Sequence, residues 1–134
     1  MMSEHNKMIV RRLVEEVQVG GDFEVFDALM HPDFVDHTPS PGFAPTKDGA
    51  RDLYHVFRAA FPDMTATIEF QLAEGDLVTT RKIYVATHKG AFLGVAPTER
   101  SVTFDVIDVL RVKADVITDH WGVMNIMKLM AQIS

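Results

Sequence analysis

The run "SVTFDVIDVLRV" (101–112) constrains the fold more than any other stretch of this chain. Val102, Phe104, Val106, Leu110 and Val112 recur at every second position, the period of a β-strand with one buried face. Thr103, Asp105, Ile107, Val109 and Arg111 point the other way. Asp108 falls in the apolar row and is its single interruption. An ionised carboxylate in apolar surroundings is costly, so such a group stays protonated or finds a partner. A carboxylic acid kept neutral in this way can donate a proton or a hydrogen bond, which makes Asp108 a catalytic candidate. The plainer alternative is a pairing with an Arg or Lys at a sheet edge.

The elements around this strand read as helices first and strands afterwards. In "NKMIVRRLVEEVQV" the apolar Ile9, Val10, Leu13, Val14 and Val17 stand at helical spacing, and Gly20–Gly21 stops the helix. Asp22 caps a short second helix, "FEVFDALM", and "DFVDH" follows as a brief strand. "DGARDLYHVFRAAF" is a third amphipathic helix that buries Leu53, Phe57 and Phe61, ended by Pro62. From "TATIEFQLAE" onward the period is two: "LVTTRKIYVATHKG" and the 101–112 run follow, then a "KAD" turn and "DVITDHWGV". A methionine-rich helix, "MNIMKLMAQI", closes the chain. This order predicts one α+β domain over residues 1–134. Three N-terminal helices pack on a strongly bent antiparallel β-sheet and enclose a pocket between the layers.

Composition removes several function classes. The 134 residues include no cysteine, so disulfides, thiol nucleophiles and thiolate metal sites are excluded. A formal charge of −6 without a basic cluster argues against nucleic acid as a partner. No apolar run is long enough to cross a bilayer, and "MMSEHNKMIVRRLVEE" lacks a secretory pattern, so the cytoplasm is the expected location. The histidines have no HxH or HxxxH spacing, so no metal site is expected, nor any cofactor.

The remaining candidates are polar groups at strand ends. His37 shares parity with Asp33 and Val35 and is expected to face the pocket as a general acid–base group, with Asp36 turned outward as a solvated charge. His88 shares parity with Tyr84 and Ala86; it either lines the same cavity or bonds within the turn at Gly90. His120 and Trp121 must face opposite sides. Trp121 is expected inside as an aromatic wall, with His120 outside or at a subunit interface. Phe57, Phe61, Tyr84, Phe104 and Val106 complete the expected lining.

"GGDFEVFDALMHPDFVDHTP", "FRAAFPDMTATIEFQLAEGDLVTTR", "THKGAFLGVAPTER" and "IDVLRVKADVITDHW" together resemble the SnoaL-like polyketide cyclases. That group lies in the superfamily of cone-shaped α+β barrels that also holds ketosteroid isomerase and nuclear transport factor 2. The resemblance runs from the first helix to Trp121. It puts the isomerase's protonated, hydrogen-bond-donating aspartate on Asp108, and His37 where the isomerase keeps its general-base aspartate. The isomerase tyrosine of the first helix falls near Leu13 or Val14, so that phenolic donor is missing, which argues against steroid isomerisation. Asp115 stands where the family usually has a turn glycine, a substitution that a left-handed backbone tolerates.

The resemblance implies a cofactor-independent cyclase or isomerase type of enzyme that handles protons on a hydrophobic carbonyl small molecule by enolate or aldol chemistry. His37 would be the base, Asp108 the donor to the oxyanion and His88 a further catalytic candidate. Two other readings stay open: a non-enzymatic binding or dimerisation module of the same fold, and a hydrolase or dehydratase using the same pocket. Ile107 and Val109 on the outer row suggest a homodimer packed sheet to sheet.

Overall fold

The computed structural model describes residues 2–134. Helix α1 (Met2–Arg12) runs without a break into a π-helical segment, Leu13–Val19, whose wider winding shows in the Gly20 N–H bond to Glu15 O. Helix α2 (Phe23–Leu29) starts at Asp22, whose side chain accepts from Val25 N–H. Strand β1 (Met30–Asp36) and helix α3 (Lys47–Ala60), capped by Thr46, complete the first half. The second half holds β2 (Thr65–Glu74), β3 (Leu77–Thr87), β4 (Ser101–Lys113), β5 (Val116–Met124) and helix α4 (Ile126–Gln132).

The five strands form one open sheet in the order β1-β5-β4-β3-β2. The pairs β2–β3, β3–β4 and β4–β5 are antiparallel, whereas β1 pairs with β5 in parallel. The sheet is therefore mixed and not closed, where the sequence pattern predicts an antiparallel one. The physical reason is connectivity: the long crossing from β1 through α3 lets β1 join the far edge in either direction. The register is irregular within β1, within β2 at Ile68/Phe70 and in β5 opposite Arg111/Val112, where a local bulge breaks the ladder. The tight β4–β5 turn uses Ala114 and Asp115 at φ 47° and 70°, so Asp115 does serve in the left-handed backbone of a turn glycine.

Two apolar clusters hold the layers together. Val10, Val17, Phe26, Leu29 and Ile117 pack beneath α1 and α2. Phe61, Phe92, Phe104, Leu129 and Ile133 pack beneath α3 and α4. Each fully buried large side chain contributes about 1.5–3 kcal/mol of transfer free energy. Where the clusters would meet, the sheet carries polar side chains instead, and a cavity of about 170 Å³ opens between them.

Candidate functional site

A row of alternating charge crosses four strands at the floor of this cavity. Asp36 ends β1; His120 lies beside it on β5, Asp108 on β4 and Lys82 on β3. The register sets the row: Asp36 pairs with His120, His120 with Leu110, Gly122 with Asp108, and Val106 with Lys82. Asp36 Oδ1 lies 2.9 Å from His120 Nδ1, and Lys82 Nζ donates to Asp108 Oδ2 at 2.6 Å. Between these pairs, His120 Nε2 stands 3.9 Å from Asp108 Oδ2, too far for a hydrogen bond.

Each group is held by its surroundings. Burial pushes the Asp36 carboxyl up, but the hydrogen bond and charge of His120 with the donors of Thr38 outweigh it and hold the group below the usual carboxylate range. An ionised Asp36 accepts from His120 Nδ1–H, which leaves Nε2 on the side of Asp108. Thr38 fastens the pair: its N–H donates to Asp36 Oδ1 at 3.0 Å, and its Oγ1 accepts from Gly122 N–H at 2.9 Å. Gly122 is needed for space. A Cβ there would sit 2.8 Å from His120 Nε2 and 3.1 Å from Asp108 Cβ.

Lys82 is 2% exposed and Asp108 4%. Burial works against the ammonium, yet the Asp108 carboxylate and the two tyrosine oxygens more than offset it, and Lys82 is held well above its ordinary range, fully charged. In this pair Lys82 donates and Asp108 accepts. Asp108 thus has a lysine partner, within the cavity floor rather than at a sheet edge.

The walls are mostly apolar: Leu13, Met30, Phe34, Phe57, Met64, Phe104, Val106 and Leu110. Tyr54 and Tyr84 add phenols; burial pushes Tyr54 up to about 12 and Tyr84 also upward. Tyr84 donates to Gln18 Oε1, and both residues reach the cavity. Leu13 and Gln18 are five apart, and in an α-helix they would point about 140° from each other. The π-helical winding of Leu13–Val19 brings both to the same side.

The structure divides the residues expected at the site. Asp108, Phe57, Tyr84, Phe104 and Val106 stand on the cavity wall. His37 does not: it lies outside, its Nε2 2.9 Å from Asp119 Oδ2 and its ring stacked on Trp121 at 4.5 Å. Trp121 is likewise outside, with Arg111 over its ring at 5.3 Å. The inward and outward assignments of both "DH" and "HW" are thus reversed, and the residues facing in are Asp36 and His120. The cause is the parity of Phe34, whose burial at 4% leaves Val35 exposed at 41% and carries Asp36 inward.

His88 and Phe61 are buried behind the wall. His88 Nδ1 accepts from Thr98 N–H at 3.2 Å and pins the loop between β3 and β4, while Phe61 packs against Phe57, Phe92 and Phe104. Lys82, Tyr54, Gln18 and Thr38 were not singled out from the sequence. Lys82 had a readable signal, because it shares the buried parity of Tyr84 and Ala86 on β3. Among the described residues no group of three or more His, Asp or Glu side chains converges as a metal site. Nor is any helix long and apolar enough to cross a membrane.

Comparison with known proteins bears on this cavity. The model of the SnoaL-like polyketide cyclase family matches residues 8–133. The solved structure of IdmH from Streptomyces antibioticus, a candidate polyketide cyclase, is similar at 31% identity and TM-score 0.83, covering 95% of this chain and 96% of that one. AclR from Streptomyces galilaeus, a candidate hydroxylase, is similar at 25% identity and TM-score 0.87, covering 98% and 85%. A candidate polyketide cyclase from Bacillus cereus shares 26% identity at TM-score 0.84, covering 96% and 80%. No curated protein matches the chain.

Proposed function

Because this chain belongs to the SnoaL-like polyketide cyclase family, we propose that it closes a carbon ring by acid–base chemistry on a hydrophobic substrate with two carbonyl groups. His120 Nε2 takes a proton from the carbon next to one carbonyl. Asp36 keeps the imidazole oriented and stabilises the imidazolium that forms. The electron pair moves onto the carbonyl oxygen, and the Lys82 ammonium, fixed by Asp108, stabilises that oxyanion. The enolate carbon attacks the second carbonyl carbon to form the new C–C bond. His120 then returns its proton to the resulting alkoxide, so the ring closes with no net gain or loss of atoms.

The observation that carries this reading is the row Asp36–His120–Asp108–Lys82 on the floor of an apolar cavity. A binding module has no need of four ionisable groups there, two of them nearly fully buried. The test is closure of a simple 1,5-diketone, 2,6-heptanedione, followed by the ultraviolet absorbance of the cyclic enone formed after water loss. The wild type should accelerate closure above buffer and His120→Ala should not. A wild type no faster than buffer, or a fully active His120→Ala, overturns the proposal.

The same reading includes a homodimer. Phe70, Arg81, Ile107 and Val123 form a continuous row across the outer face of four strands, and Phe70, Ile107 and Val123 are all exposed. A second copy packed on this face would bury them. Sedimentation equilibrium at monomer mass would reject the dimer.

A further inference from the structure

The cavity wall holds a phenol whose hydrogen has no acceptor. Ala50, Tyr54 and Phe57 recur at helical spacing on the inner side of α3, so Tyr54 is carried to the cavity with its neighbours. Its ring stands edge-on to Phe26 at 5.6 Å, which fixes where the hydroxyl ends. Among the described residues no acceptor takes its hydrogen, and the hydroxyl is not sealed in: it keeps contact with the open space that Tyr54 lines. The neighbours set the direction of the missing bond. The Lys82 ammonium has hydrogens only to give, and it lies close to the Tyr84 oxygen. Tyr84 passes its own hydrogen to Gln18 Oε1. The Gln18 amide therefore presents its NH₂ side to Tyr54, whose oxygen it steadies. Tyr54 stands last in this run of donors and has a hydrogen left over. Burial pushes its phenol up to about 12, against a smaller opposing pull from Gln18 and Lys82, so that hydrogen stays in place near neutral pH.

Resting on the proposed ring closure and deepening it, we infer that Tyr54 is a catalytic residue whose hydroxyl donates to the second carbonyl, the one that the enolate attacks. The enolate oxygen is held at Lys82, so the attacked carbonyl needs a donor of its own. As the new C–C bond forms, the electron pair of that C=O bond moves onto its oxygen, and the Tyr54 O–H stabilises the alkoxide by a hydrogen bond. The proton that neutralises the alkoxide still comes from His120, so the phenol ends the cycle unchanged. Tyr54 has no part in forming the enolate. Its loss therefore slows ring closure and spares enolisation, a separation that a merely structural residue would not produce.

The test measures both steps on the same proteins. Closure of 2,6-heptanedione is followed by the absorbance of the cyclic enone, and enolisation by hydrogen–deuterium exchange beside the carbonyl of 2-tetralone, which has no second carbonyl. Tyr54→Phe removes one oxygen and keeps the ring against Phe26. It should close the diketone about 100-fold more slowly than the wild type and exchange 2-tetralone within about threefold of it. His120→Ala should lose both activities. Closure at the wild-type rate in Tyr54→Phe overturns the inference and leaves the acid–base reading standing. An equal fall of both activities does the same, because it would put the phenol at the enolate oxygen or in the scaffold. Should Tyr54→Phe fail to fold, the phenolic ¹³C resonance of Tyr54 in His120→Ala decides. It should move with 2,6-heptanedione and stay in place with heptane, and an unmoved resonance overturns the inference. If the wild type neither closes the diketone nor exchanges 2-tetralone, the acid–base reading fails and this inference falls with it.

Discussion

The buried pair Lys82–Asp108 invites a double-mutant experiment whose outcome can be worked from the structure. The two side chains are 3% and 5% exposed and meet at 2.6 Å, so neither charge is shared with solvent. Removing one partner by Lys82→Met or Asp108→Leu leaves the other as an uncompensated buried ion, which costs about 3–5 kcal/mol. A small domain has roughly 5–15 kcal/mol in total, so each single variant should lose about a fifth of its stability or more. In melting temperature that is on the order of 10–20 °C for a chain of this size. The double variant Lys82→Met/Asp108→Leu replaces two charges by apolar groups of similar size. It should lie near the wild type or above it, because both desolvation penalties disappear with the ion pair. Urea denaturation of the four proteins gives the coupling energy, expected at about 3 kcal/mol or more. Single variants within 0.5 kcal/mol of the wild type would show that the pair is solvated and that the buried row is misread. So would a double variant as unstable as the sum of the singles.

Further outcomes follow from neighbouring groups. Gly122→Ala should push the His120 ring off its position between Asp36 and Asp108, so turnover falls at least tenfold while the urea midpoint changes little; unchanged turnover would refute the close approach. Asp36 is held below the ordinary carboxylate range, so its contribution is complete above about pH 4, where the unfolded chain ionises, and fades as pH falls through its lower native value. Asp36→Asn should therefore flatten the acid limb of stability as pH falls below about 4, and an unchanged limb would contradict it. Tyr54 and Tyr84, the chain's two tyrosines, are both raised by burial. A spectrophotometric titration should thus find little tyrosinate at pH 10, where a free phenol is half ionised.

How far the sequence could be read differs between scaffold and site. The period change at Thr65 and the alternation of 101–112 placed the helices and β4 correctly, because burial of one face leaves a repeat that is local in the chain. The same alternation put Asp108 in the buried row. What failed was parity in short strands. In "DFVDH" either Phe34 with Asp36 or Val35 with His37 could face in. The choice was made by pairing with β5, more than eighty residues away in the chain. The larger area of Phe34 was the available clue. "DHWG" reversed for the same reason, since His120 is the residue that pairs with Asp36. Lys82 shares the buried parity of Tyr84 and Ala86 in "TTRKIYV", but its partner carboxylate comes from another strand and leaves no mark in that stretch. The parallel joining of β1 to β5 has no local signature at all, being settled by the whole chain.

One comparison tests the central claim most directly: the rate of hydrogen–deuterium exchange next to the carbonyl of 2-tetralone, followed by proton NMR, in the wild type, His120→Ala and His37→Ala. The cavity row predicts exchange above buffer in the wild type, a loss of 100-fold or more in His120→Ala, and a rate within about threefold of wild type in His37→Ala. Exchange that survives in His120→Ala and collapses in His37→Ala, or a wild type no faster than buffer, would contradict it.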